Sequence, residues 1–321
     1  MKTQIVLWIV WILIASCSQP AELPEKNNQI VFADSLSIFA PGIISTMHKE
    51  RDLAISPDGN RMLFTKSAQN GAFSVIMETV KAGNNWSDPE VVAFSGNYSD
   101  LEPAYAPDGN TLYFASNRPV TGDQPKDFDI WKVGFDDGQW GTPQRLDAAV
   151  NTSGNEFYPS VSRSGNLYFT ASPDFQRKKE DIFIARKVNG SYERAMLLSD
   201  SINTSYYEFN AFIDPDEEYI IFSSWGRPDG KGGGDLYLCE KDNDGKWQQA
   251  RPLSINTNVL EYCPFVSPDK KYFFFTANHN DFRDFYQKGI SADQFDIMLN
   301  SNRNGNGDIW ILPFDEIISP D

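Results

Sequence analysis

A short phrase recurs five times in this chain of 321 residues. Ser56-Pro57-Asp58-Gly59 leads into Met62-Leu63-Phe64-Thr65, and Ala106-Pro107-Asp108-Gly109 leads into Leu112-Tyr113-Phe114-Ala115. Weaker copies stand at Arg163-Ser164-Gly165, Pro215-Asp216 and Pro268-Asp269. The phenylalanines that end the phrase, Phe64, Phe114, Phe169, Phe222 and Phe275, lie 50, 55, 53 and 53 residues apart. A fixed period of this size marks a repeat architecture, whose units bury their apolar faces only against one another.

Each repeat divides into four strand-length pieces. The first runs into the Pro-Asp-Gly turn, where proline fixes φ and Asp-Gly completes a tight reversal. The second is the apolar run ending in the repeated phenylalanine. A third opens with Asp and alternates: Asp129-Ile130-Trp131, Asp181-Ile182-Phe183, Asp235-Leu236-Tyr237, Asp308-Ile309-Trp310. The fourth runs from an aromatic residue to an aliphatic one, Trp86 to Val92, Trp140 to Leu146, Tyr192 to Leu198 and Trp247 to Leu253. Short, branched and aromatic pieces between turns are the strands of an antiparallel meander, and meanders repeated about an axis form a β-propeller. The last repeat lacks its fourth strand, while Phe32 to Ile38 is an orphan fourth strand near the start. The expectation is an all-β, five-bladed β-propeller of four-stranded antiparallel blades over residues 29–317. The N-terminal strand completes the last blade and removes its exposed edge.

Ahead of that domain, Lys2 and the apolar run Ile5 to Ala15 read as a targeting segment over residues 1–16, too short to span a bilayer comfortably. Its end, Ile14-Ala15-Ser16-Cys17, resembles a bacterial lipoprotein signal, which implies lipidation of Cys17. Residues 17–28 are polar with two prolines and read as a flexible tether. The expected location is the bacterial cell envelope, at the outer membrane and held by the lipid alone. Cys239 and Cys263 fall in strands of adjacent repeats, which leaves a disulfide between them open and favours buried free thiols.

The Ser-Pro-Asp-Gly turn, Ser116-Asn117-Arg118-Pro119 and Asp129-Ile130-Trp131 together resemble the WD40-like (PD40) repeats of TolB-type propellers. The resemblance covers roughly residues 30 to 315 and implies the propeller fold with little about function. Repeat three departs from it by lacking Pro-Asp, and repeats four and five lack the glycine.

Three sets of residues are binding candidates. An acid stands four residues after Thr46, Gly96, Thr152, Thr204 and Thr257: Glu50, Asp100, Glu156, Glu208 and Glu261. Just ahead of the innermost strands, these five would ring one mouth of the channel and hold a cation, an amine or a basic peptide segment. The competing expectation is that each accepts local hydrogen bonds and locks neighbouring blades, since a position repeated in every blade more often serves the fold. Arg118, Arg227 and Arg303, between second and third strands, would grip a carboxylate or pair with acids of their own blade. The insertion from Asn278 to Asn300 breaks the repeat; Phe282, Phe285 and Tyr286 in it would form a short helix with an aromatic face.

A net charge of −16 excludes a nucleic-acid surface. With two histidines in no ligand spacing, no metal site or cofactor is expected. No nucleophile elbow or phosphate loop is present. The expectation is a monomeric, non-catalytic module that binds an envelope protein or glycan. The alternative is a propeller-type carbohydrate-active enzyme using carboxylates at the channel mouth, which should reveal itself by carboxylates that break the repeat symmetry.

Overall fold

The computed structural model describes residues 28–172, 179–282 and 289–318. Five antiparallel sheets follow one another along the chain and enclose a central channel. The innermost strands are Lys49–Ile55, Asp100–Tyr105, Glu156–Val161, Tyr207–Ile213 and Glu261–Val266. Each touches the innermost strands of both neighbours, and the fifth touches the first, so the ring is closed. The second strands, Arg61–Ser67, Thr111–Ser116, Leu167–Ala171, Tyr219–Trp225 and Tyr272–Ala277, bring the repeated phenylalanines into the core with at most 2% of their surface exposed.

The seal is where the sequence puts it. Ser37–Ile38 pairs antiparallel with the third strand of blade 5, Ser37 opposite Ile311 and Ile38 opposite Trp310. Ser45 reinforces it, accepting from the Ile309 N–H at 3.1 Å and donating to the Ile309 carbonyl at 3.3 Å. Asn151, Asn203 and Asn256 do the same for Ile130, Ile182 and Leu236 in blades 2, 3 and 4. The side chain imitates a neighbouring strand and satisfies backbone groups that a two-residue outer strand leaves unpaired.

Those outer strands are shorter than the aromatic-to-aliphatic spacing implies. Trp86, Trp140 and Tyr192 turn back in small hairpins, and only Glu90–Val91, Gln144–Arg145, Met196–Leu197 and Arg251–Pro252 pair as fourth strands. The innermost turns are alike in all five blades, whatever their residues. The N–H of Gly59, Gly109, Gly165, Glu217 and Lys270 each donates to the carbonyl three residues earlier at 2.8–3.0 Å. Glu217 and Lys270 occupy the left-handed region there, at φ 59° and 56°, where the first three turns use glycine. Strand packing on both sides over-determines the turn and outweighs a backbone penalty of about 1–2 kcal/mol.

The insertion carries a helix over Ala292–Leu299. Ser291 and Gln294 close a reciprocal capping box at its start, and that local signal decides its position. Phe282 lies outside the helix and packs against Phe295 with ring centroids 6.0 Å apart. Phe285 and Tyr286 lie outside the described residues.

Candidate functional site

The repeated acids sit inside the wall of the channel. Glu50, Asp100, Glu156, Glu208 and Glu261 are each fully buried. Thr46, Thr152 and Thr204 donate from hydroxyl and backbone N–H to the acid four residues on, at 2.5–3.1 Å. Thr257 does likewise for Glu261, and Ser95 serves Asp100 at 2.8 Å. Two of the arginines complete the lock. Arg118 meets Asp100 at 2.7 Å, and Arg227 meets Glu208 at 3.0 Å with its guanidinium over the Tyr237 ring. Lys66 does the same for Glu50 at 3.1 Å.

Arg303 is diverted. Asp281, supplied by the insertion, takes its guanidinium at 2.7 Å, and its backbone N–H goes to Asp308. Among the described residues no cation bonds Glu261 or Glu156, and one oxygen of each is buried without a hydrogen bond. Burial accordingly lifts both carboxyls to about 7, against the pull of the threonine donors.

Two residues beyond each acid, every innermost strand bulges. The bulged residues, Asp52, Glu102, Tyr158, Asn210 and Cys263, all take left-handed φ between 48° and 62°. They differ in chemistry from blade to blade, and all are buried. Arg51 ties them together: Nε donates to Asp52 at 2.7 Å, and one terminal nitrogen donates to Glu102 at 2.6 Å and lies 3.3 Å from the Cys263 sulfur. The other Glu102 oxygen accepts from the Tyr158 N–H at 2.7 Å, while the Tyr158 hydroxyl donates to the Pro264 carbonyl at 2.9 Å. Burial pushes the Glu102 carboxyl up to about 7 although Arg51 opposes it, and pushes the Cys263 thiol well above its ordinary value. Cys263 and Cys239 are both free and buried.

This polar layer divides the channel. Toward the Pro-Asp-Gly turns lies an apolar cavity of about 220 Å³, walled by Pro103, Pro159 and Pro264 with Glu102 at its floor. It is partly open, and Arg163, Tyr219 and Lys270 also line it. The opposite mouth is different. There a hollow of about 400 Å³ is lined by Lys49, Arg51, Glu102, Glu180, Asn210 and Tyr262. It adjoins a second of about 520 Å³ lined by Glu180, Tyr207, Phe209 and Trp225. Tyr207 and Trp225 are 38% and 54% exposed, with ring centroids 5.6 Å apart. Burial raises the Glu180 carboxyl and lowers the Lys49 amine, with Arg51 opposing the first and reinforcing the second. Titratable groups displaced from their ordinary range in one cleft mark a functional site.

None of these residues was a binding candidate from the sequence, although the position two after each repeated acid was available as a signal. Asn278, at the base of the insertion, also lines the upper mouth. Phe282 lines neither hollow. Cys17 lies outside the described residues. Among the described residues no cluster fits a metal ion, and no helix is long and apolar enough to cross a membrane.

Neither a family model nor a curated protein matches the chain. Solved structures do share the fold. A thermostable family-43 glycoside hydrolase is 10% identical with a TM-score of 0.51, covering 90% of this chain and 98% of its own. A GH43 endo-arabinanase of Bacillus licheniformis is 14% identical with a TM-score of 0.49, covering 83% and 94%. A TolB-type protein of Agrobacterium tumefaciens is 15% identical with a TM-score of 0.47, covering 83% and 91%.

These findings correct the expectation of a non-catalytic chain. The frame that encouraged it is equally a frame of glycoside hydrolases. The upper mouth also holds the carboxylates of Glu102 and Glu180, which come from different blades and break the repeat symmetry.

Proposed function

We propose that this chain is a bacterial envelope propeller, tethered by a lipid on Cys17 through residues 17–28, that binds a glycan in its upper mouth. The observation that carries the reading is the junction of two surfaces. An exposed aromatic pair, Tyr207 and Trp225, opens onto a hollow floored by Arg51, Glu102 and Asn210. Flat apolar faces beside convergent hydrogen-bonding groups suit a sugar, whose ring has apolar C–H faces and a polar edge. The lipoprotein-like leader and the TolB-type repeats support the envelope location. The test is calorimetric titration of the mature chain against envelope oligosaccharides. Trp225→Ala should weaken binding about tenfold or more with unchanged melting, because an exposed ring contributes little to stability. A Trp225→Ala chain that binds like the parent, or a parent that binds no glycan, ends the reading.

One observation favours a second reading, that the bound glycan is hydrolysed. Glu102 and Glu180 face one hollow, and burial moves both carboxyls upward, as proton transfer near neutrality requires. Reducing-end release should then fall by about 100-fold in Glu180→Gln. No release by the parent chain on any bound glycan removes this reading and leaves binding intact.

A further inference from the structure

Glu180 stands where the two hollows of the upper mouth meet, for it lines both. Among the described residues no cation bonds its carboxylate. Arg51 is turned to Asp52 and Glu102. Lys179 is drawn the other way, onto Asp181 and Glu208 and the carbonyls of Thr204 and Tyr206. Lys49 belongs to blade 1, across the ring from blades 3 and 4, and burial with Arg51 beside it weakens its hold on a proton. Around Glu180 the smaller-scale surroundings are aromatic: Tyr207, Phe209 and Trp225, with Leu260.

A half-buried carboxylate with no counter-ion among the described residues, set among aromatic side chains, is the chemistry that recognises an ammonium group. The ring quadrupoles attract the cation and the carboxylate neutralises it. The chain's net charge of −16 works in the same direction, concentrating cations and repelling anions before contact.

We infer that the upper mouth selects a ligand with a free amine, held by Glu180 within the faces of Tyr207, Phe209 and Trp225. Resting on the glycan reading above, the ligand is an oligosaccharide carrying an unacetylated amino sugar. The amine sits at Glu180 and the sugar ring stacks on the exposed pair. N-acetylation of that sugar removes the charge and abolishes the preference.

The decisive probes are chitosan and chitin tetramers, which differ only in the acetyl groups. They are titrated into the mature full-length chain at physiological salt, where diffuse surface attraction is screened. Chitosan should bind about tenfold or more tightly than chitin. Glu180→Gln, isosteric and uncharged, should erase that preference by bringing chitosan affinity down to the level of chitin. Trp225→Ala should weaken both ligands. Equal affinities for the two tetramers overturn the inference and leave the glycan reading standing. Chitosan binding undiminished in Glu180→Gln also overturns it, as a diffuse effect of the acidic surface. If a lysine-rich peptide binds while neither tetramer does, the inference and the glycan reading fail together in favour of a protein partner.

Discussion

Two rings of five residues lie side by side in this propeller and differ in what they repeat. The wall ring, Glu50, Asp100, Glu156, Glu208 and Glu261, keeps one chemistry in every blade and spends it on local hydrogen bonds. The axial ring, Asp52, Glu102, Tyr158, Asn210 and Cys263, keeps one backbone conformation and varies its chemistry, with two acids, a phenol, an amide and a thiol. A bulge in each strand imposes the left-handed φ at every axial position, so the fold asks for the shape and leaves the side chain open. Where side chains are free to differ around an axis they can build one asymmetric site, and the upper mouth begins at that layer. Repeated chemistry holds the blades; unrepeated chemistry on a repeated backbone is free to build a site.

That contrast can be broken by mutation. The largest effect belongs to Arg51, which answers two buried carboxylates at once. Arg51→Met should cost about 3–5 kcal/mol in denaturant unfolding, because an unpaired buried charge is left behind. A loss under about 1 kcal/mol would show that the axial layer does not depend on its cation.

A wall acid should cost less. Glu208→Gln keeps the side-chain shape but takes the carboxylate from Arg227 and Lys179, for a loss of about 2 kcal/mol. Ligand binding at the upper mouth should not change. Weaker binding in Glu208→Gln with full stability would merge the two rings into one site.

The smallest effect is a pH dependence. Glu156 and Glu261 are raised to about 7 by burial, against about 4.3 in an unfolded chain. Between those values the folded chain binds protons that the unfolded chain does not. Their contribution is therefore full below the unfolded pKa and is lost as pH rises through 7. Melting should occur a few degrees higher at pH 5.5 than at pH 8, and Glu156→Gln with Glu261→Gln should reduce the slope to the share left by Glu102. A melting temperature that climbs from pH 5.5 to 8 in the parent chain would contradict it.

Much of this was legible from the chain. The period, the turns, the repeated phenylalanines and the Ile38-to-Trp310 seal followed from residue patterns alone. The wall acids were legible as a set, and their structural role was the stronger of the two expectations. The axial layer was hidden because a residue two places beyond each acid shares no residue type across blades; only the bulge unites them. Glu180 and Trp225 were hidden for another reason. They come from different strands and loops of blades 3 and 4, and no spacing along the chain shows that they face one hollow. The helix that Ser291 and Gln294 start was not read from the chain, because its signal is a local capping box and not an aromatic spacing.

Sequence alone decided the number of blades, the order of strands and the place of closure. Each follows from short-range periodicity and from the need to bury every apolar face and pair every sheet edge. Tertiary structure alone decided that the five acids turn into the wall, that Arg303 leaves its blade's acid for Asp281, and that unlike residues meet on the axis. Those outcomes depend on contacts that range from Asp281 with Arg303, 22 residues apart, to Arg51 with Cys263, 212 apart, and only packing the chain around a common centre sets such distances.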